Sequence, residues 1–488
     1  MNQSSQKLSV IEKVGYSLGD LAANLVFQTL VTFIAYYYTD VYGLEPSKAQ
    51  WVIATCGFIG GVLFAPIMGM IADRTHTRWG RYRPWVMWTA VPFGVMILLT
   101  FTTPNLSGNA KVAYAFVTYL LLTTLYTANN LPYSSLSGVL TGNMSERNSL
   151  SAYRFVAVMV AQFIIQVLLR PLVLVVGDGD EAVGFEKIMM IFSIAAVICF
   201  FITFFTTRER VISVQTEKSS VMQDIGDLFK NKPWLIMLCV IVLVFISLPL
   251  RSGTTVYYFK YYAHQDELSR FLNDIGFTGL IAGVQSIWPN FKWPDAVDAS
   301  AFGLFNGAGV IMMIVGIGFS RPLADRFGKR DVYAFGLFVA TVFILSFILI
   351  PRDAIGWMFI AQILHGFFYG ITIPILWAMI ADVADYSEWK NNRRATAIIF
   401  SAMILGLKGG IAIGGTLVVS FLAAYGYQVG VEVQSAESIN GIKLTMGLFS
   451  SIPFFLACAL LFLYEINKSV ESRIEQDLSA RRKGAAAE

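Results

Sequence analysis

The chain alternates between long apolar blocks and short breaks rich in charge, glycine, proline or asparagine. Twelve such blocks fall near residues 14-40, 49-72, 84-103, 112-140, 146-176, 186-206, 233-262, 298-320, 331-351, 355-386, 395-425 and 441-465. A helix needs about 20 apolar residues to cross a hydrocarbon core of about 30 Å. Twelve such spans would use about 240 residues, near half the chain. The pattern therefore predicts an all-α membrane protein with twelve transmembrane helices.

The breaks carry the basic residues. Arg74, Arg78, Arg81 and Arg83 lie in 73-83, and Arg208, Arg210, Lys218, Lys230 and Lys232 lie in 207-232. Arg321, Arg326, Lys329 and Arg330 lie in 321-330, Lys390, Arg393 and Arg394 lie in 390-394, and more basic residues lie in the tail. With twelve spans and both termini cytoplasmic, all of these share one side, as the positive-inside rule requires. Ala72-Asp73-Arg74 before Trp79-Gly80-Arg81 is echoed by Ala324-Asp325-Arg326 before Phe327-Gly328-Lys329-Arg330, at an offset of 325 minus 73, or 252 residues. Basic glycine-containing loops also resemble each other by chance. A true repeat would give a six-helix bundle at 1-206, a cytoplasmic linker at 207-232, a second bundle at 233-466 and a cytoplasmic tail at 467-488. A doubled unit of that kind suits a transporter that rocks two halves around a midplane site. The segment 263-297 interrupts the second half on the outer side, either as a cap over a vestibule or as an ordinary surface insertion.

Composition narrows the function classes. The chain has 488 residues, 56% hydrophobic and 14% charged, against roughly 25% charged in a soluble domain, which excludes a soluble enzyme. A net charge of +4, dispersed between apolar blocks, does not suggest a nucleic-acid partner. Cys56, Cys199, Cys239 and Cys458 stand alone in apolar segments, with neither disulfide nor zinc spacing. His76, His264 and His365 are scattered. No metal, cofactor or nucleophile constellation is expected, and no cleavable signal peptide is evident.

Polar groups deep in a span are costly and mark candidate sites. At 1.5 Å per helical residue, Asn24 lies about 16 Å beyond Lys13, Asn130 about 16 Å before Thr141, Arg154 about 12 Å beyond Glu146 and Lys408 about 21 Å beyond Arg394. Tyr16, Asp20 and Asn24 follow each other at intervals of four and share a helical face, as do Tyr126, Asn130 and Tyr133. Lys408 precedes Gly409-Gly410, where missing side chains would leave room for a ligand. Aromatics beside hydrogen-bonding groups suit a sugar. The competing structural reading pairs Arg154 or Lys408 with a carboxylate such as Asp20. Arg251 would serve the pathway or snorkel outward, and Arg170 reads as a snorkelling residue. Asp382, Asp385 and Glu388 share the cytoplasmic end of the tenth span. With Asp73 and Arg74 they are candidates for an inner gate, or else a solvated helix end.

Four segments together resemble the glycoside/pentoside/hexuronide cation symporters, melibiose-permease-like members of the major facilitator superfamily. They are Gly69 to Arg74 with Arg78 to Trp85, Gly15 to Asp20, Tyr36 to Asp40, and Ala381-Asp382 with Asp385 to Lys390. The likeness covers nearly the whole chain apart from 263-297 and the tail. It implies the major facilitator fold, two pseudo-symmetric six-helix bundles with alternating access, in a bacterial inner membrane. Carried over by position, the sugar site resembles Asn24, Asn130, Arg154 and Lys408, with amides where melibiose-type members hold carboxylates. Gly61 and Ala65 stand where the family keeps its cation-binding acids, before Pro66-Ile67-Met68-Gly69.

Loss of these acids beside retained cations predicts a positive pocket and an anionic sugar, with a hexuronide or other acidic glycoside leading. A neutral pentoside or oligosaccharide carrier stays open, and so does a sugar sensor signalling through the tail. Sodium, a hard cation, needs oxygen ligands that Gly61 and Ala65 do not supply, by analogy with the divalent ions. Proton coupling through Asp20 and no coupling at all both stay open. The Lys/Arg distribution makes one direct prediction: a cysteine placed at Ser220 is not labelled by an impermeant reagent from outside, and labelling there would reverse the assigned orientation.

Overall fold

The computed structural model describes residues 7–141, 143–210, 231–391 and 396–485. Most of the expected linker, with Ser220, and the positions Arg393 and Arg394 lie outside the described residues. Among the described residues, twelve helices are long and apolar enough to cross a membrane. The first six are Val10–Val41, Pro46–Arg74, Arg83–Thr100, Gly108–Leu140, Ser149–Val176 and Glu181–Thr206. The second six are Lys232–Tyr262, Val297–Phe327, Lys329–Ile348, Ile355–Lys390, Ile399–Ala424 and Ala436–Leu461. Each block read from the sequence has its helix. Among the described residues there is no strand, only an isolated bridge between Thr77 and Gly80.

Helices dominate because a bilayer core offers no water to unpaired backbone groups. Their starts are marked locally. Ser9 caps the first span in a reciprocal capping box, accepting from the Glu12 amide while Glu12 accepts from the Ser9 amide, both at 3.2 Å. Asp180 caps the sixth span by accepting from the amides of Ala182 and Val183. The spans are not uniform. Single π-helical turns occupy Tyr37–Val41, Gly57–Leu63, Ile164–Leu168, Tyr258–Tyr262 and Thr445–Phe449, a departure that is frequent at functional sites.

The chain divides into two compact units. One comprises Met1–Val214, Thr255–Leu304 and Gly415–Ile439, the other Gln215–Thr254, Phe305–Gly414 and Asn440–Glu488. The first unit has an aromatic interior, in which Tyr37 packs on Phe101 at 4.7 Å between ring centroids and on Phe185 at 5.5 Å. The second has a mixed aliphatic and aromatic core that includes Met237, Leu337, Met379, Ile380, Val383 and Phe454. The tail joins this core. It forms the helix Lys468–Ala485, buries Ile474 and Leu478, and Asp477 accepts a hydrogen bond from the Trp389 indole at 2.8 Å.

Glycines set two close helix crossings in the second unit. A Cβ on Gly316 would come 2.1 Å from the Phe367 carbonyl, and one on Gly370 would come 2.2 Å from that of Met313. Gly366 faces the Gly309 carbonyl at 2.4 Å. The second crossing uses Gly406, Gly410 and Gly414, at intervals of four, against Leu238, Val242 and Ile246. Small residues at such spacing let backbones approach where apolar burial no longer drives association. Gly410 therefore packs against a neighbouring backbone, contrary to the expectation of ligand space there, whereas a Cβ on Gly409 meets nothing within 4 Å.

Gly370→Leu should cost about 1–3 kcal/mol through overpacking, lowering the Tm of the purified protein, whereas Gly318→Leu, with nothing within 4 Å, should leave it unchanged.

Candidate functional site

In the first unit, polar groups at the expected positions form one cluster. Arg154 donates from Nε to Asp20 Oδ2 at 2.8 Å, and the Asn24 amide donates to Asp20 Oδ1 at 3.2 Å. Beneath them Tyr16 and Tyr133 stack at 4.6 Å, each hydroxyl donating to the other's carbonyl at 3.0 and 2.7 Å. The Arg154 guanidinium lies 5.6 Å from both ring centroids. Gly19 permits this packing, since a Cβ there would come 2.6 Å from the Tyr133 ring. Tyr16 and Tyr133 are fully buried, so they position the cation and do not face a cavity. Arg154 thus has the carboxylate partner of the structural reading, while keeping 28% of its side chain exposed.

Asn130 and Asn129 divide their labour. Asn129 is buried and donates to Thr89 Oγ1 at 2.9 Å. Asn130 is half-buried, and its amide makes no hydrogen bond among the described residues. Tyr126, also half-buried, stacks on Phe27 at 6.0 Å.

In the second unit, Lys408 is half-buried and has no ion pair among the described residues. Arg251 donates to Gln362 Oε1 and lies 5.8 Å from the Phe347 ring centroid. Buried groups hold it, so it does not snorkel. Arg170 corrects its expectation in the same way within the first unit. It is only 3% exposed, is paired with Asp298, and lies 5.7 Å from the Tyr36 ring centroid.

The inner-gate candidates find partners near home. Asp382 accepts from Lys329 at 2.7 and 2.8 Å, and Lys329 also pairs with Glu471 of the tail helix at 2.7 Å. Asp73 accepts from the Tyr82 hydroxyl at 2.9 Å. Burial and that carboxylate push the Tyr82 phenol up to about 12. Next to it, Glu209 accepts from the backbone amides of Arg81, Tyr82 and Arg83 at 2.8 to 3.0 Å.

One network in the first unit was not anticipated. Asp40, in the π-turn Tyr37–Val41, accepts from Lys260 at 3.1 Å and from Tyr261 at 2.7 Å, both in the π-turn Tyr258–Tyr262. The Tyr427 hydroxyl reaches both Asp40 oxygens at 2.7 and 2.8 Å. Burial and the Asp40 carboxylate push that phenol well above its ordinary range. Lys260 also donates to the Tyr36 hydroxyl at 3.0 Å, which donates to Glu181 at 2.6 Å. The two π-turns stand 258 minus 37, or 221 residues apart. That is 31 fewer than the 252 separating the basic loops, and the 263-297 insertion falls between the second π-turn and the second loop.

The profile of the MFS/sugar transport proteins matches residues 15–293 and 296–468. The chain belongs to this family. It is 32% identical over 482 residues to the isoprimeverose transporter of Lactiplantibacillus pentosus, covering 96% of this chain and 91% of that protein. It is 27% identical over 486 residues to the glucuronide carrier protein homolog of Escherichia coli, covering 98% and 97%. Among solved structures, the nucleoside transporter NupG is similar with a TM-score of 0.59 at 13% identity, covering 93% of this chain and 99% of that one. The chain is therefore a multi-pass membrane protein of the major facilitator fold and a secondary sugar transporter, not an enzyme.

Removing one partner of a buried ion pair strands the other. Because Lys260 keeps 31% of its side chain exposed, Asp40→Asn should cost about 2–3 kcal/mol, at or below the range for a fully buried pair. Thermal unfolding reads this as a lowered Tm, and Asp40→Asn combined with Lys260→Met should recover part of the loss. Strictly additive losses would mean that the two side chains are not coupled.

Proposed function

We propose that this sugar transporter carries acidic glycosides or hexuronides, contacting them through Asn24, Asn130, Tyr126, Arg154, Arg251 and Lys408. The observation that carries the reading is the contrast between the two deep cations. Arg154 is neutralised by Asp20 at 2.8 Å, whereas Lys408 has no carboxylate partner among the described residues. A lone ammonium in a low-dielectric span favours a substrate that brings its own negative charge. The likeness to the glucuronide carrier homolog supports this. The second reading, a neutral pentoside or oligosaccharide, is favoured by the likeness to the isoprimeverose transporter and by the internal pairing of Arg154.

Alternating access uses the sequence halves 1-206 and 233-466 as the moving bundles, in a bacterial inner membrane with both termini cytoplasmic. Asp382 with Lys329, and Asp73 with Arg74, stand at the inner gate, together with Asp385 and Glu388. Coupling runs through a proton at Asp20. Protonation there removes the charge that holds Arg154, so the cation is free to turn to an anionic substrate. Gly61 and Ala65 bring no side-chain oxygen for sodium.

A charged hydrogen bond is worth about 1.5–3 kcal/mol, or roughly 10- to 100-fold. Lys408→Met should lower vesicle uptake of a glucuronide by that factor while sparing any neutral glycoside. Equal loss of both, or none, favours the neutral reading, and binding without uptake marks a sensor. In the same vesicles an inward pH gradient should drive uptake by the native chain but not by Asp20→Asn, and stimulation by sodium at fixed pH would overturn the coupling assignment.

A further inference from the structure

The insertion between the seventh and eighth spans holds two helices of opposite character. Gln265–Asp274 carries Asp266, Glu267, Arg270 and Asp274, and it docks through the buried Leu268 and Leu272. Residues 275–291 contain no charged side chain, and the helix Phe277–Ile287 within them has no buried residue. Phe277, Leu280, Ile281, Val284, Ile287 and Trp288 recur at the spacing of one helical face. Thr278, Gln285 and Ser286 fall on the other. Phe277, Ile281 and Val284 are half-buried, and only the outer edge of the apolar face points away from the chain. On that edge Leu280 is 62% exposed, Ile287 87% and Trp288 64%, whereas Phe277, Thr278, Ile281 and Gln285 line, with Trp293, a cavity of about 320 Å³.

We propose that Phe277–Ile287 is an interfacial helix whose exposed apolar edge, Leu280 and Ile287 with the adjoining Trp288, lies in the lipid of the leaflet opposite the chain's termini. An odd number of spans, seven, precedes it, which puts it on that face. The adjoining spans end at Tyr262 and begin at Val297, so the insertion starts and finishes at the membrane boundary. The ten residues from Ile287 to Val297 can extend at most about 33–36 Å, which sets an upper limit on the distance of the helix from that boundary. A charge-free amphipathic helix there gains by immersing its apolar face, and a tryptophan at its end suits the headgroup level.

The test uses the full chain in proteoliposomes, with Cys199→Ser and Cys239→Ser as background. Nitroxide labels are attached at Leu280→Cys, Ile287→Cys and Ser286→Cys. Oxygen, which partitions into lipid, should relax the labels at 280 and 287 more than a water-soluble nickel chelate does, with the reverse order at 286. Nickel access at all three positions would overturn the proposal in favour of a solvated insertion. Low access of both reagents at 280 and 287 would also overturn it, assigning the face to protein, either this chain or a second copy. Sugar uptake certifies each labelled variant as folded, and Trp288→Cys, at a position 64% exposed on the same edge, replaces any that fails.

Discussion

A charge taken out of water inside a bilayer has to find its counter-charge within the protein, and this constraint arranges the polar parts of the chain. Arg154 meets Asp20, Arg170 meets Asp298, Lys260 meets Asp40 and Lys329 meets Asp382. Aromatic rings attend three of the four cations, at 5.6 Å for Arg154, 5.7 Å for Arg170 and 4.9 Å for Lys260. Against that background the isolation of Lys408 among the described residues has chemical meaning. A secondary transporter needs at least one group whose partner is the cargo, because only interactions that differ between states can be coupled to movement.

The Asp40 network applies the same constraint to conformation. Its carboxylate gathers one ammonium and two phenols, and two of these three donors sit on a π-turn. A π-turn adds a residue to the helical ladder and re-aims the side chains around it. Tyr37–Val41 and Tyr258–Tyr262 are thereby able to present Asp40 on one side and Lys260 with Tyr261 on the other. The rings of Tyr257 and Tyr261 also pack on Tyr427, at 5.5 and 5.7 Å between centroids, so aromatic packing holds the network together with charge and hydrogen bonds.

The glycine seams supply the complementary rigidity. Where Gly316 and Gly370 bring two backbones together, or Gly406, Gly410 and Gly414 do so, helices pack by shape and leave nothing to titrate or hydrate. The docked tail helix adds Ile474 and Leu478 to the same core, and ties it to Lys329 and Trp389 through Glu471 and Asp477.

Twelve spans and their order were legible in the sequence. Apolar run length and helical rise are local quantities that a bilayer of fixed thickness turns into a fold. The family resemblance rested on equally local motifs. What the chain order does not carry is which charge meets which. Asp20 lies 134 residues from Arg154, and Asp40 lies 220 from Lys260 and 387 from Tyr427. Arg170 near a span end looks the same whether it snorkels or pairs, until Asp298 is brought beside it. Gly409 and Gly410 likewise differ only in what stands opposite them. Partner choice is a property of helices already packed together, so tertiary structure alone decided it.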